Sequence, residues 1–204
     1  MPSSLDPATK QHSPPVERTL VCPWWLLPTF DNPLRRLIQN PYRILRDLVR
    51  PGYTAVDLGC GMGYFSIPLA QMVGPTGKVI CIDVQQQMLD GLRRRAEKAG
   101  VLDTTTMRRC EATRLGIPEP ADFVLAFWML HEVPDQRAFL AEVQAYLKPA
   151  GRFLLVEPVG HVGGKAFQRS LETAQQAGLV IVDKPAVVAS RSALFALTQA
   201  GQSG

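Results

Sequence analysis

The stretch AVDLGCGMGYFS, residues 55–66, decides the fold. It begins as an apolar run, carries an acid at Asp57, and then places Gly59, Gly61 and Gly63 at every second position. Glycine weakens helices and strands, because its backbone has the most freedom to lose on folding. A tight turn without a ligand needs one glycine. Three alternating glycines after an acid indicate backbone that a ligand approaches closely.

Short apolar runs alternate with amphipathic patterns around this stretch. The predicted strands are YTAVDLG, GKVICIDV, the weakly patterned TTTMRRCEAT, ADFVLAFWML, GRFLLVEPV, LVIVDK and ALFALTQ. The predicted helices are YFSIPLAQMVG, QQQMLDGLRRRAEKAGV, DQRAFLAEVQAYLKPAG (begun by Asp135 and closed at 149–151) and GKAFQRSLETAQQAG. Such alternation is typical of right-handed βαβ units, and the short last connection predicts an antiparallel pair. We expect an α/β sheet of seven mostly parallel strands, with one antiparallel strand near the edge and helices on both faces.

The spacing of the glycines excludes the two common phosphate motifs. A dinucleotide fingerprint, G-x-G-x-x-G, requires glycine where Tyr64 stands, and GPTGKV lacks the spacing and the hydroxyl residue of a P-loop. Asp83 ends the second predicted strand, where an acid is placed to accept hydrogen bonds from ribose hydroxyls. The alternative is a charge that favours the start of the next helix. Together with the glycines, Asp83 indicates a nucleoside without a pyrophosphate.

Four segments in this order resemble the successive motifs of class I S-adenosylmethionine-dependent methyltransferases: VDLGCGMGYFS, VICIDVQQQML, DFVLAFWMLHEV and LKPAGRFLLVEP. The resemblance runs from about residue 53 to residue 157. It is greatest to the small-molecule group that includes the quinone-biosynthesis and arsenite methyltransferases. It implies a Rossmann-like fold, S-adenosylmethionine as the cofactor, and methyl transfer (an EC 2.1.1 activity).

The resemblance also implies roles in the glycine stretch. Gly59, Cys60 and Gly61 would lie against the methionine part of the cofactor, within the loop that Gly63 completes. Asp57 would organise this loop and the amino group of the cofactor through its hydrogen bonds.

Further implied contacts come from the next two strands. Asp83 would bind the ribose, and Val84 and Met88 would line the adenine. Glu111 and Ala112 stand where the family often has an acid and a small residue, so Glu111 could meet the adenine amine.

The fourth strand leads to the one candidate catalytic side chain. The backbone at Phe127 would face the cofactor amino group, and His131 follows in FWMLHEVPD. His131 is either a base or hydrogen-bond donor for the substrate, or a histidine that packs against a helix. Holding a nucleophile in line with an activated methyl group supplies much of the catalysis, so a base is required only where the acceptor must lose a proton.

The segment before the core divides into two predicted parts. Residues 1–18 are rich in proline and serine and predict a disordered leader, residues 19–52 predict a helical lid, and residues 53–204 form the cofactor-binding domain. Trp24, Trp25 and Phe30 are expected to cover an apolar or aromatic substrate. The alternatives are a simple packing arm, or docking on a membrane surface, which tryptophan beside arginine also suits.

Composition and charge narrow the functional classes that remain. The net charge of +4 is mild for a nucleic-acid binder, and the base-methylating motifs after the fourth strand are absent. Four cysteines without a C-x-x-C pair favour reduced thiols and no metal site, and no signal peptide or spanning segment is recognised, so we expect a cytoplasmic protein. The prediction is in-line methyl transfer to a small apolar or aromatic acceptor, with peripheral membrane contact not expected. An RNA or DNA methyltransferase and a catalytically silent binding or regulatory protein are the alternatives.

Overall fold

One sheet of seven strands organises the computed structural model, which describes residues 38–111 and 113–198. The strands are β1 (Thr54–Leu58), β2 (Lys78–Asp83), β3 (Thr105–Arg109), β4 (Ala121–Phe127), β5 (Leu147–Pro158), β6 (Leu179–Asp183) and β7 (Ser190–Leu197). The α-helices are α1 (Pro41–Leu45), α2 (Ser66–Val73), α3 (Gln86–Lys98), α4 (Gln136–Tyr146) and α5 (Gly164–Gln176). Single 3₁₀ turns lie at Leu102–Thr104 and Leu130–Glu132.

The strand order is β3-β2-β1-β4-β5-β7-β6. The first five strands pair in parallel, and β7 runs antiparallel to both β5 and β6. This confirms the predicted sheet, including the single reversed strand next to the edge. Because β1 lies between β2 and β4, the connection from β2 to β3 runs toward one edge of the sheet, and the connection from β4 to β5 runs toward the other. Ligands of open α/β sheets bind in the crevice at the carboxyl ends of the strands where this divergence occurs.

Helices cover both faces of the sheet, as the sequence predicts. Along β4, Phe123 and Leu125 face one buried cluster, while Val124 and Ala126 face the other. This period of two is what a strand buried on both faces requires. The first cluster includes buried residues of α1, α2 and α3, namely Leu45, Leu69, Val73, Leu89, Leu92 and Ala96. The second includes residues of α4 and α5, namely Phe139, Leu140, Val143, Phe167, Leu171 and Ala174.

The weakly patterned third strand is confirmed as β3. It lies at the edge of the sheet and pairs with β2. None of its five residues is fully buried. An edge strand that is exposed along its length needs no strong apolar pattern, which explains why the sequence signal is faint.

The predicted end of the third long helix, at 149–151, is wrong. Asp135 does accept a hydrogen bond from the Ala138 amide at the start of α4. The helix ends at Tyr146, however, and Leu147, the first residue of β5, already pairs with Ala121 of β4.

A bulge explains this earlier end. The β4–β5 register shifts after Leu147, so that Phe123 pairs with Arg152. A Cβ on Gly151 would lie 2.9 Å from Leu147 Cδ1 and 3.0 Å from the Ala121 carbonyl oxygen. The glycine therefore allows the chain to return to the sheet after a bulge, rather than terminating a helix.

Part of the predicted lid is described. Residues 1–37 lie outside the described residues, and with them the leader, Trp24, Trp25 and Phe30. The described remainder contains α1, whose first turn is capped by the Asn40 side chain. Within the described part of the chain, no helix is long and apolar enough to cross a membrane.

Candidate cofactor and acceptor site

A cavity of about 310 Å³ opens where the carboxyl ends of β1, β2 and β4 diverge. One side, here called the loop side, consists of Asp57, the glycine loop 59–63 and Asp83. The other, the β4–β5 side, consists of Trp128, His131 and Glu157. The cavity is lined by Asp57, Gly59, Gly61 and Asp83 from the first side and by Trp128 and His131 from the second.

The glycines of the loop serve different purposes. Gly61 and Gly63 have φ values of +52° and +85°, in the left-handed region. A Cβ on Gly63 would overlap Leu92 Cδ1, and one on Gly59 would lie 2.9 Å from Met129 Cβ, so these two positions allow close packing. A Cβ on Gly61 would meet nothing within 4 Å. Gly61 is therefore the glycine whose bare backbone is open to the cavity.

Asp83 fixes the glycine loop through its carboxylate. Its Oδ2 accepts the Gly61 N–H at 2.9 Å, and its Oδ1 accepts the Gln85 N–H at 2.9 Å. Burial raises the pKa of Asp83, while the hydrogen bonds from these backbone amides oppose that rise. Each carboxylate oxygen accepts more than one hydrogen bond, so the side chain retains acceptor positions for a ligand.

Asp57 is the second buried acid on the loop side. The Ser66 hydroxyl, at the first position of α2, donates to Asp57 Oδ2 at 2.5 Å. Burial is the largest influence and raises the pKa of Asp57 to about 7; the Ser66 hydrogen bond lowers it and the Asp83 charge raises it. Asp57 thus changes charge in the physiological range, and a cation in the cavity favours its ionised form.

The predicted adenine contacts are brought together in part. Val84, Met88 and Glu111 all line the cavity. Glu111 is exposed and forms a short backbone bridge with Arg114. Ala112 lies outside the described residues.

Four aromatic residues, Tyr64, Phe65, Phe127 and Trp128, line the cavity, and the sequence predicts only Phe127 there. The centroid distances are 5.2 Å from Tyr64 to Phe65, 4.3 Å from Phe65 to Phe127, and 5.5 Å from Phe127 to Trp128. We call these four residues the aromatic row. Its signal in the sequence is two pairs of adjacent aromatic residues, one directly before α2 and one at the end of β4.

Trp128 is held in an unusual backbone conformation. Its φ is +60°, rare for a bulky residue, and its amide donates to the Val156 carbonyl oxygen at 2.7 Å. The indole Nε1 donates to Ser190 Oγ at 3.0 Å, at the start of β7. Such strain persists where the surroundings fix it, and it concentrates at functional sites.

His131 faces the cavity from the 3₁₀ turn after β4. Its Nδ1 lies 2.5 Å from Glu157 Oε2, and the other carboxylate oxygen accepts the Leu130 N–H at 2.8 Å. The hydrogen bond with Glu157 is the main cause that raises the pKa of His131, against an opposing effect of burial. Glu157, only 1% exposed near the end of β5, is not among the residues that the sequence predicts for the site. An acid at the carboxyl end of the strand beside β4 is the signal that could have found it.

The cysteines offer no three-thiol site in the described part of the chain. Cys60 and Cys81 are buried, and burial raises the pKa of both thiols. Cys110 is partly buried, with a pKa raised to about 11, mainly by desolvation. No group of three or more potential metal ligands occurs among residues 38–111 and 113–198, and Cys22 lies outside them.

The residues of the loop side fit S-adenosylmethionine. The open backbone at Gly61 suits close approach of the methionine part, and the Asp83 carboxylate suits a pair of ribose hydroxyls. Val84 and Met88 offer apolar surface for a purine ring. Asp57 and Asp83 add negative charge for a ligand that carries an ammonium and a sulfonium.

Comparison with known proteins agrees with this geometry. Residues 55–151 match the model of a methyltransferase domain family. A demethylmenaquinone methyltransferase of Symbiobacterium thermophilum is 35% identical over 109 residues, 53% of this chain and 43% of that protein. The ubiquinone/menaquinone biosynthesis C-methyltransferase UbiE of Paraburkholderia phymatum is 35% identical over 117 residues, 57% of this chain and 47% of that protein. The chain thus spans less than half the length of these relatives.

A solved structure extends the likeness beyond the matched segment. A SAM-dependent methyltransferase from Aquifex aeolicus superposes with a TM-score of 0.75 over 85% of this chain and 97% of that one, at 22% identity. At this identity the likeness shows the fold. The domain match and the curated relatives show a methyltransferase domain over residues 55–151, and the chain shares the fold of a SAM-dependent methyltransferase.

Proposed function

We propose that this chain transfers the methyl group of S-adenosylmethionine to a small acceptor with an aromatic ring. The observation that carries the proposal is the joining of two different linings in one cavity. The loop side supplies acids and open backbone, and the aromatic row continues from it toward the β4–β5 side. A cofactor on the first lining and a flat ring on the second would share one cavity.

The loop side would hold the cofactor together with residues at or after the ends of β2, β3 and β4. Asp83 would accept the ribose hydroxyls, Asp57 would favour the amino group, and the backbone of Gly59, Cys60 and Gly61 would contact the methionine part. Val84, Met88, Glu111 and Ala112 would surround the adenine, and the backbone of Phe127 would face the amino group. When bound, the cofactor supplies an activated methyl group, so the chain's own task is to hold the acceptor in line with it and to exclude water.

The aromatic row would hold the acceptor. Offset and tilted aromatic pairs contribute about 0.5–1.5 kcal/mol beyond the area they bury, so an acceptor ring packed against the row at Trp128 would be held by one face. The relatives named for demethylmenaquinone and for ubiquinone/menaquinone biosynthesis support a ring of the quinol type. His131, which faces the same cavity, would act on the acceptor as a base or hydrogen-bond donor.

The predicted lid remains part of this proposal. Gln39 lies at its described end; it accepts a hydrogen bond from the Tyr64 hydroxyl at 3.0 Å and donates to the Val188 carbonyl oxygen at 3.2 Å. These contacts attach the segment beside the aromatic row. We propose that Trp24, Trp25 and Phe30 cover the acceptor. Replacing both tryptophans with alanine should raise the acceptor KM; an unchanged KM would favour a packing arm.

Calorimetry with S-adenosylmethionine and S-adenosylhomocysteine on the wild type and on Asp83→Ala tests the proposal. Hydrogen bonds to charged groups contribute about 1.5–3 kcal/mol each, so loss of two should weaken binding at least about 100-fold. Asp90→Ala is the matched control, because Asp90 is an exposed acid of α3 that hydrogen-bonds Gln86.

A methyl-transfer assay completes this test. Dihydroxynaphthalenes and simple phenols serve as acceptors, with the methylated product detected by mass spectrometry. No binding by the wild type would overturn the cofactor site. Binding without transfer to any aromatic acceptor would favour the silent binding protein. Transfer to RNA or DNA with a steep salt dependence would replace the small acceptor by a nucleic acid.

A further inference from the structure

We propose that Glu157 is a positioning residue that fixes the ring of His131, so that Nε2 of His131 removes the proton from an aromatic hydroxyl of the acceptor. This inference rests on the proposed function and narrows its acceptor to a phenol-type ring. It also assigns a role to a buried acid that the cofactor site does not use.

Burial and hydrogen bonding restrict Glu157 to this role. Its side chain is 2% exposed, and its two oxygens have separate partners on the turn after β4. Oε1 accepts the Leu130 N–H at 2.8 Å, which anchors the carboxylate to the backbone of that turn. Oε2 lies 2.5 Å from His131 Nδ1. A carboxylate has no proton to donate, so the hydrogen of this bond belongs to Nδ1.

The tautomer of neutral His131 follows from that bond. With its hydrogen on Nδ1, the neutral ring carries a lone pair on Nε2. The ring lines the cavity and its side chain is 25% exposed, so Nε2 is the nitrogen left to a ligand. An acid that holds a histidine in the proton-accepting tautomer is the arrangement of hydrolase triads, where it orients the imidazole and stabilises its charged form.

Other titratable groups around the ring do not replace Glu157. Glu132 belongs to the same 3₁₀ turn and also raises the pKa of His131, as a weaker influence than Glu157. His161, in the turn after β5, has its ring centroid 5.9 Å from that of His131. It is exposed and lines the cavity, whereas Glu157 is the group that holds Nδ1 of His131.

The reaction step balances with these groups. The O–H bond of the acceptor breaks and its proton goes to Nε2 of His131. The phenolate would then attack the methyl carbon through its oxygen or through the neighbouring ring carbon, as the carbon–sulfur bond breaks with its pair on the sulfur of S-adenosylhomocysteine. Attack through carbon would be followed by loss of the proton on that carbon, which restores the aromatic ring. Imidazolium His131, stabilised by Glu157, then returns its proton to solvent at the mouth of the cavity.

Glu157→Gln is the decisive variant, because it should reverse the tautomer of neutral His131 while it keeps the shape of the side chain at position 157. The Leu130 N–H still requires an acceptor, so the amide oxygen takes that position and the NH₂ group faces Nδ1. The ring must then accept at Nδ1 and carry its hydrogen on Nε2. Glu172→Gln is the control, since it makes the same change at an exposed position of α5.

Nitrogen-15 NMR of the imidazole rings reads this change directly. The wild type and Glu172→Gln should show the Nδ1–H tautomer for neutral His131, with a pKa above the ordinary value. Glu157→Gln should show the Nε2–H tautomer and a lower pKa. The same tautomer in all three proteins would overturn the proposal. If Glu157→Gln does not fold, the wild-type spectrum decides, since Nε2–H there excludes the base.

The bound acceptor supplies the second readout. The absorbance of 4-nitrophenol changes when it loses its proton, so it shows whether the phenol is ionised when bound to the S-adenosylhomocysteine complex. Below the pKa of free 4-nitrophenol, the wild type should bind the ionised form and Glu157→Gln the neutral form. Binding of the neutral form by the wild type, or no binding, would overturn the phenol-type acceptor.

Kinetics separates this inference from the proposed function. Glu157→Gln should bind S-adenosylhomocysteine as the wild type does, and lose about 10²- to 10⁴-fold in kcat on a phenolic acceptor. The acidic limb of its pH–rate profile should move to lower pH. An unchanged limb with a lower rate indicates a structural role only. Failure of the wild type to bind S-adenosylhomocysteine would count against the proposed function and leave the tautomer result standing.

Discussion

The loop side and the β4–β5 side of the cavity are held in place by different means. On the loop side, Asp83 binds backbone amides of Gly61 and Gln85, and left-handed glycines set the path of the chain. On the β4–β5 side, two side chains that line the cavity are held by other side chains: His131 by Glu157, and Trp128 by Ser190. Hydrogen bonds to backbone amides thus hold the loop side, whereas contacts between side chains hold the β4–β5 side.

The largest expected effect separates two glycines of the loop side. Gly63→Ala should lower the free energy of unfolding by about 2–5 kcal/mol, from overlap with Leu92 and a strained φ. Gly61→Ala should cost about 1–2 kcal/mol from strain alone, because its Cβ would meet no protein atom within 4 Å. Denaturant unfolding measures both.

Binding of S-adenosylhomocysteine tests the same difference between Gly61 and Gly63. Folded Gly61→Ala should bind S-adenosylhomocysteine at least about tenfold more weakly, since the new methyl group would occupy the open backbone. Equal losses of stability in the two variants, with full affinity in Gly61→Ala, would show that both glycines serve packing only.

Asp57 gives the loop side its expected pH dependence. Its folded-state pKa of about 7 is raised above the unfolded value of 3.8, so its contribution to stability is complete below pH 3.8 and is lost as the pH rises through about 7. Asp57→Asn should flatten the decline in unfolding free energy between pH 4 and 7, leaving the smaller slope that Asp83 contributes in the same direction.

Cofactor binding should show the opposite trend with pH. Cationic S-adenosylmethionine favours ionised Asp57, so wild-type affinity should increase as the pH rises through 7, with proton release at the lower end. Asp57→Asn should bind more weakly and with little pH dependence. Asp90→Asn serves as the exposed control. A wild-type affinity that is constant from pH 6 to 8 would mean that Asp57 does not ionise on binding.

The smallest expected effect concerns the β4–β5 side. Ser190→Ala removes the acceptor of the Trp128 indole N–H and should cost about 0.5–1.5 kcal/mol of stability. It should raise the acceptor KM while S-adenosylhomocysteine affinity stays unchanged. Ser192→Ala is the matched control, because that hydroxyl donates to the Pro185 carbonyl away from the cavity lining. Equal KM values in the two variants would remove Trp128 from acceptor binding.

The same division explains what the sequence could predict. The order of the strands, the reversed strand, the glycine loop and Asp83 follow from local patterns, and the structure brings those loop residues together. The sequence predicts a helix end at 149–151, where the structure has a bulge, because proline and glycine are common at helix ends and at bulges alike.

The sequence does not predict Glu157 as a site residue, for a different reason. It closes a run that reads simply as a buried strand, and its partner His131 lies 26 positions earlier. Ser190 and Trp128 are 62 positions apart. Contacts between such distant positions leave no periodicity, so only the rule that neighbouring strands end at one edge could have suggested them.

The position of β7 has a consequence for the order of folding. Within the described sheet, β6 pairs only with β7, although β6 comes first in the chain. During synthesis β6 therefore has no place in the sheet until β7 has emerged and inserted beside β5, a slow, non-local pairing. Because Ser190 begins β7, the β4–β5 side is completed only at that last step. A chain interrupted before residue 190 would have the loop side in place, β5 as an open edge and no Ser190 to hold Trp128; under the proposed function, it would bind the cofactor before it could position an acceptor.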